Sequence, residues 1–217
     1  MKRIMCVFLL TFMMVSQLWG QMQFFKNADF ENIVYTHETI ATLPFLTKVT
    51  LLPEQMDTIS RQELANLEKS EGESIQKAIY TWFQQRQENG KLSVTIQAPI
   101  ISNAKLKAAG ITPDNYFTYS PARLAHILGV DAVVMGYYET NQPKAGQNED
   151  GDCNARNKNQ GTSTNLAVIN LSIFNAEDGE LLVQFQNGIA GNKEVMNEEI
   201  IQALMKKVSK RMAYTKI

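Results

Sequence analysis

Histidine and cysteine are the scarcest reactive residues of this 217-residue chain, with two of each. Cys6 lies in the apolar N-terminal stretch, which leaves Cys153 alone in the rest of the sequence. No internal disulfide framework can be built from one thiol, so Cys153 is read as free or paired between chains. Cys153 with His37 and His126 is no zinc set either. A Gly-x-Ser-x-Gly elbow is missing: Gly72-Glu73-Ser74 lacks the closing glycine. An excess of positive charge is lacking too, with 21 Lys and Arg against 22 Asp and Glu. Without Lys2 and Arg3 the balance is 19 against 22, a net charge of −3. That disfavours nucleic acid and anionic membrane surfaces as partners.

Long apolar runs are confined to the start. Lys2 and Arg3 precede an apolar stretch from Ile4 to Val15, and Gly20 offers a small residue ahead of Gln21. The run is shorter than the roughly 18–20 residues a spanning helix needs. Residues 1–20 are therefore read as a signal peptide. The mature chain is expected to be periplasmic or secreted, with no transmembrane segment. A lipoprotein would need a cysteine just after the apolar run, and Cys6 lies before its end.

The densest local information lies in Ser120 to Gly136. Ser120 suits an N-cap and Pro121 the first helical position. Leu124, Ile127 and Leu128 repeat at helical spacing, and Gly129 stands where a left-handed residue closes a helix. Ala132-Val133-Val134-Met135 reads as a strand covered on both faces.

Around this unit, residues 21–38 read as a loosely ordered, aromatic-rich arm that packs on the domain, and 39–217 as one α/β domain. Thr39 to Phe45 forms a first strand ended by Pro44, which Lys48 to Leu52 extends or follows as a short edge strand. Ser60-Arg61-Gln62-Glu63 is a capping box opening a helix with Leu64, Leu67, Ile75, Ala78, Ile79, Trp82 and Phe83 on one face. Gly72 is expected to bend or interrupt that helix. Asn89-Gly90 is a turn, and Lys91 to Ala98 alternates as a half-buried strand. Asn103 to Ala109 is a short helix stopped by Gly110, followed by a turn at Thr112-Pro113-Asp114-Asn115. Residues 144–164 form a polar, flexible loop. Asn165–Phe174 and Leu181–Phe185 are strands joined at Asp178-Gly179, and Asn192 to Tyr214 is an amphipathic helix. The order β-α-β-α-α-β-β-β-α predicts a single mixed β-sheet packed by helices on a face.

Three segments give the chain a resemblance to a group of Gram-negative envelope domains. Ala41-Thr42-Leu43-Pro44-Phe45 matches an "A-x-L-P-F" pattern after an early strand. Leu124 to Gly136 matches "L-A-x-x-L-G-V-D" running into "A-V-V-x-G", and Asp178-Gly179-Glu180-Leu181 matches "D-G-E-L". In these the chain resembles CsgG-type curli secretion subunits, lipoprotein activators of penicillin-binding proteins and the amino-terminal domain of TolB. The resemblance covers most of residues 39–214. It implies a CsgG/TolB-amino-terminal-type fold and a noncatalytic accessory role through protein contacts. Two departures stand beside it: the lipobox cysteine is absent, and residues 144–164 are too polar to supply a membrane β-hairpin.

No constellation in the sequence specifies a reaction. Asn148 to Asp152 fails as an EF-hand, because Gly146 and Asn157 fall where the first and twelfth ligands belong. Gly188 to Lys193 lacks Walker spacing. His126, between Leu124 and Leu128, reads as a partly exposed helix residue, and His37 and Glu38 point to opposite faces if extended. Lys206, Lys207, Lys210 and Arg211 complement the end of the last helix. The sequence therefore assigns no catalytic residue, no metal and no cofactor. Phe24, Phe25, Tyr137 and Tyr138 are the partner-binding candidates, since exposed aromatics anchor interfaces. The expected function is a periplasmic envelope binding or assembly factor with a protein partner, homo-oligomerisation staying open. The alternative is a small-ligand sensor or enzyme with a dispersed site.

Overall fold

The computed structural model describes residues 23–51, 53–141 and 165–191, with Gln202 and Tyr214. The stretches read from the sequence as a signal peptide (1–20), a polar loop (144–164) and a final helix (192–214) lie outside the described residues, Gln202 and Tyr214 excepted. In chain order the elements are β1 (Gln23–Lys26), α1 (Phe30–Val34), β2 (Thr39–Thr42), β3 (Leu46–Val49), α2 (Pro53–Met56) and α3 (Arg61–Glu88). They continue with β4 (Thr95–Gln97), α4 (Pro99–Ala108), a 3₁₀ turn at Tyr116–Thr118, α5 (Pro121–Leu128), β5 (Ala132–Asn141), β6 (Asn165–Asn175) and β7 (Leu181–Gly191).

All seven strands form one mixed sheet in the order β1-β7-β6-β5-β2-β4, with β3 also pairing β5. Strand β5 is the axis. Its inner half pairs in parallel with β2 and its outer half with β3, while β6 runs antiparallel along its other edge. Thr42 pairs Val134 but Leu46 pairs Tyr137, so the β2–β3 side carries one extra residue. That bulge falls at Pro44, which has no N–H to give the ladder.

The sheet separates two cores. Helix α3 lays Ile75, Ile79, Trp82 and Phe83 against Ile40, Val134, Ile169, Leu171, Ile173, Val183 and Phe185. On the opposite face Leu106 of α4 and Leu124, Ala125 and Leu128 of α5 cover Ala41, Leu43, Val133 and Met135. Val133 and Val134 therefore point into different cores, as the period-2 pleat requires. Helices lie on both faces, not on one.

The local signals act as their chemistry predicts. Ser60 accepts from the Glu63 N–H and Glu63 from the Ser60 N–H, closing the capping box. The Ser120 side chain caps α5 through the Arg123 N–H, and Gly129 ends it at φ 65°, ψ 51°.

Three readings need correction. The described part of the arm packs on the domain, with Phe30 buried in the α3-side core, but it is not loose: Gln23–Lys26 pairs antiparallel with β7 as the sheet's edge strand. Gly72 does not interrupt α3, which runs unbroken from Arg61 to Glu88. It lets the chain after β2 touch the helix: the Phe45 N–H donates to the Gly72 carbonyl at 3.1 Å, and a Cβ on Gly72 would lie 2.1 Å from the Phe45 carbonyl oxygen. The half-buried strand expected over 91–98 narrows to Thr95–Gln97, although Leu92, Val94 and Ile96 are all buried.

Candidate functional site

The segments that carry the resemblance are structural devices. Phe45 lies over Gly136, where an added Cβ would stand 2.0 Å from the ring. The "L-P-F" phenylalanine and the "V-x-G" glycine are thus two halves of one contact. The Asp131 carboxylate accepts from the Glu38 and Thr39 N–H groups, both at 2.8 Å, and holds the entry of β2. Asp178 accepts from the Glu180 N–H at 2.8 Å and from the Asn175 side chain at 3.0 Å, shaping the hairpin turn. Each of these side chains already serves the fold through a packing contact or a backbone hydrogen bond.

The four aromatic candidates divide by pleat. Phe24 pairs Phe185 and packs against the α3-side core, and Tyr138 pairs Ile169 in that core at 4% exposure. Tyr138 is thereby removed from any surface. Phe25 pairs Gln184, and Tyr137 pairs Asn170, on the opposite face. Antiparallel partners share a face, so the register assembles two rows there. One runs Leu46, Tyr137, Asn170, Gln186, Gln23; the next runs Met135, Ser172, Gln184, Phe25. Helices α4 and α5 cover the β2–β5 half of this face with Met135 and reach Phe174 of β6, and Ser172 is buried; the rest of the two rows forms a terrace of amides and rings over β6, β7 and β1. Phe25 is 47% exposed, Leu46 41% and Phe117 of the 3₁₀ turn 45%.

Two depressions mark the terrace. One, of about 330 Å³, lies among Phe117, Tyr119, Met135, Tyr137, Asn170 and Ser172. The other, of about 190 Å³, lies among Gln23, Phe25, Gln184 and Gln186. Ser172 donates to Asn170 at 3.1 Å and the Gln184 amide donates to Ser172 at 3.4 Å, so the ladder is partly ordered before anything binds. The Tyr137 hydroxyl donates to Glu139 at 2.8 Å. Burial, then that bond and the carboxylate's charge, push the phenol up to about 12, and Tyr137 stays neutral at physiological pH.

A second cleft, of about 550 Å³, brings together residues far apart in sequence: His37, His126, Asp131, Asn175 and Glu177. Both histidines of the chain line it. His37 is buried, and its Nδ1 lies 2.7 Å from the Tyr214 hydroxyl, with the two rings stacked at 5.8 Å. Burial lowers the His37 pKa below its ordinary value, against the opposing pull of Asp131 and of the Asn175 side chain. His126 is exposed on α5 and Glu38 is exposed beside buried His37, as their spacing predicts. What sequence reasoning missed is that the hairpin turn of Asn175 and Glu177 and the end of α5 converge on one cleft. Only the β5–β6 register carries that information.

Among the described residues no group of three or more His, Cys, Asp or Glu side chains could hold a metal ion, and no helix is long and apolar enough to cross a membrane.

No family model and no curated protein matches the sequence. Several solved structures align with it. The lipoprotein GNA1162 from Neisseria meningitidis is 14% identical with a TM-score of 0.45, over 81% of this chain and 98% of that one. PelC from Paraburkholderia phytofirmans, a dodecamer, is 10% identical with a TM-score of 0.44, over 88% and 94%. The LpoB C-terminal domain from Escherichia coli is 10% identical with a TM-score of 0.31, over 71% and 84%. At such scores the functional reading rests on the chain's own residues.

Proposed function

We propose that this chain is an exported, noncatalytic binding or assembly factor of the cell envelope that acts by holding a partner on its open sheet face. The observation that carries this reading is the terrace itself. Phe25, Tyr137, Leu46 and Phe117 stand partly or largely exposed around a row of neutral amides, on the half of the sheet that α4 and α5 leave uncovered. Exposed aromatic and apolar side chains gathered on one face are the material of interface anchors. The N-terminal export pattern and the resemblance of three short segments to envelope domains support the envelope as the setting.

The test is site-specific photocrosslinking in the organism, with a benzophenone side chain at Phe25, Leu46 or Tyr137 and controls at Tyr35 and His126. Face positions should trap a discrete envelope component and the controls should not. Equal trapping at all five positions would end this reading.

A second reading, a small-ligand sensor or an enzyme with a dispersed site, is favoured by one observation. His37, His126 and Asp131 line the same cleft. Loss of the biological role in His126→Ala with an unchanged melting temperature would put that reading first.

A further inference from the structure

We propose that the open sheet face takes an uncharged glycan strand, laid across β5, β6, β7 and β1. This names the partner of the face described above and rests on that reading. The argument begins from charge. Met135 and Ser172 are buried, and the seven other side chains of the two rows include no acid and no base. Ordinary solvated surfaces carry roughly 25–35% charged residues, and Asp, Glu, Lys and Arg make up 20% of this chain. In the adjoining row Lys48 and Glu139 pair with each other at 3.6 Å.

Hydrogen-bonding capacity narrows the choice. Gln23 and Gln186 make no side-chain hydrogen bond among the described residues, and Asn170 uses only its Oδ1. Each amide offers both donors and acceptors. An apolar protein surface would bury these groups unpaired, at a cost of about 1–3 kcal/mol each. An anionic polymer would find no cation in either row. Sugar hydroxyls donate and accept alike and satisfy both halves of an amide.

Shape agrees with the chemistry. The depression of about 330 Å³ is walled by Phe117, Tyr119 and Tyr137, and the one of about 190 Å³ by Phe25. Aromatic faces carry negative charge density that attracts polarised C–H groups, which a pyranose ring presents on its flat side. Three strand spacings separate β5 from β1, about 14 Å at 4.7–4.9 Å each. A linear ligand crossing the strands would seat a ring in each depression and run its hydroxyls along the amides between them.

The experiment uses the full mature chain and isothermal titration calorimetry. The probes are neutral hexasaccharides of β-1,4-glucose, α-1,4-glucose and β-1,4-N-acetylglucosamine, with hexagalacturonate as the anionic comparison. At least one neutral probe should bind and hexagalacturonate should not. Gln186→Leu and Asn170→Leu should each weaken binding tenfold or more at an unchanged melting temperature, and His126→Ala should leave it unaltered. Gln186→Ala serves where the leucine variant melts early. The inference is overturned if no neutral probe binds, if only the anionic probe binds, or if both amide variants bind like the parent. It is overturned equally if sedimentation shows that a second copy of the chain covers the face. Photocrosslinks from Phe25 and Tyr137 to a protein, with no glycan binding, would overturn this inference and leave the preceding reading standing. Absence of both would overturn the two together.

Discussion

Gly72→Ala separates what helix propensity predicts from what packing predicts, because the two differ in sign. In an exposed helix interior the change should stabilise by about 1 kcal/mol. Gly72 is buried, however, and an added Cβ would stand 2.1 Å from the Phe45 carbonyl oxygen, 3.2 Å from its carbon and 3.3 Å from Thr47 Oγ1. Two of those atoms are backbone, so relief requires the bulge between β2 and β3 to move off α3. Overpacking of that kind costs about 1–3 kcal/mol. The move also strains the Phe45 N–H bond to the Gly72 carbonyl, worth about 0.5–1.5 kcal/mol. Set against the propensity gain, a net loss of about 2 kcal/mol is expected. For a chain of this size that lowers the melting temperature by about 4–8 °C. Urea titration of the protein should show a lower midpoint at unchanged slope, with Ser70→Ala, exposed two residues earlier, nearly neutral. A Gly72→Ala variant as stable as the parent, or more stable, would refute the close approach and return Gly72 to a mere weak point in the helix.

Asp131→Ala should cost at least about 3 kcal/mol by urea titration, since two backbone N–H groups lose a charged acceptor worth about 1.5–3 kcal/mol each, and Asp131→Asn should cost less because one acceptor remains. Gly129→Val should cost at least about 1–2 kcal/mol, the penalty for a side chain in the left-handed region, and a loss of a few tenths would contradict the φ of 65°. His37 has a folded pKa below its unfolded value, so the unfolded chain takes up its proton first. Stability should be fully present above about pH 6.5 and fall as acid carries the pH towards the lowered folded value; His37→Gln should flatten that slope in urea titrations from pH 7.5 to 5.

How much the sequence disclosed depended on whether a feature was local. Ser60, Ser120, Gly129 and the Asp178-Gly179 turn act within a few residues of themselves, and each adopts the geometry its chemistry predicts. Gly72 could not be read this way. Its role depends on Phe45, 27 positions away, and a lone glycine in a helical pattern carries no sign of which backbone comes near. The arm was misjudged for a similar reason. Gln23 to Lys26 is too short to show alternation convincingly, and its strand character comes from pairing with Val183 to Gln186. The aromatic pairs Phe24-Phe25 and Tyr137-Tyr138 show the limit of composition. Each pair was identified as a unit, and the pleat sends one member of each into the core and the other to the surface. Neither pair lies in a segment that the sequence marks as a strand, so the split comes from the register, and which member faces outwards from the position of α3.

The same logic explains why short segments can announce a fold and stay silent about function. Phe45 needs Gly136 because its ring occupies the space a side chain would fill, and Asp131 is needed because two N–H groups at the start of β2 have no strand partner. Asp178 meets the equivalent demand at the hairpin turn. Any chain building this bulged, three-layered sheet meets these demands, whatever it binds. The outer face of β6, β7 and β1 meets none of them, since neither core requires Asn170, Gln184 or Gln186 to be an amide. Those positions are free to follow a ligand, and it is there that two chains of this architecture would differ in what they hold.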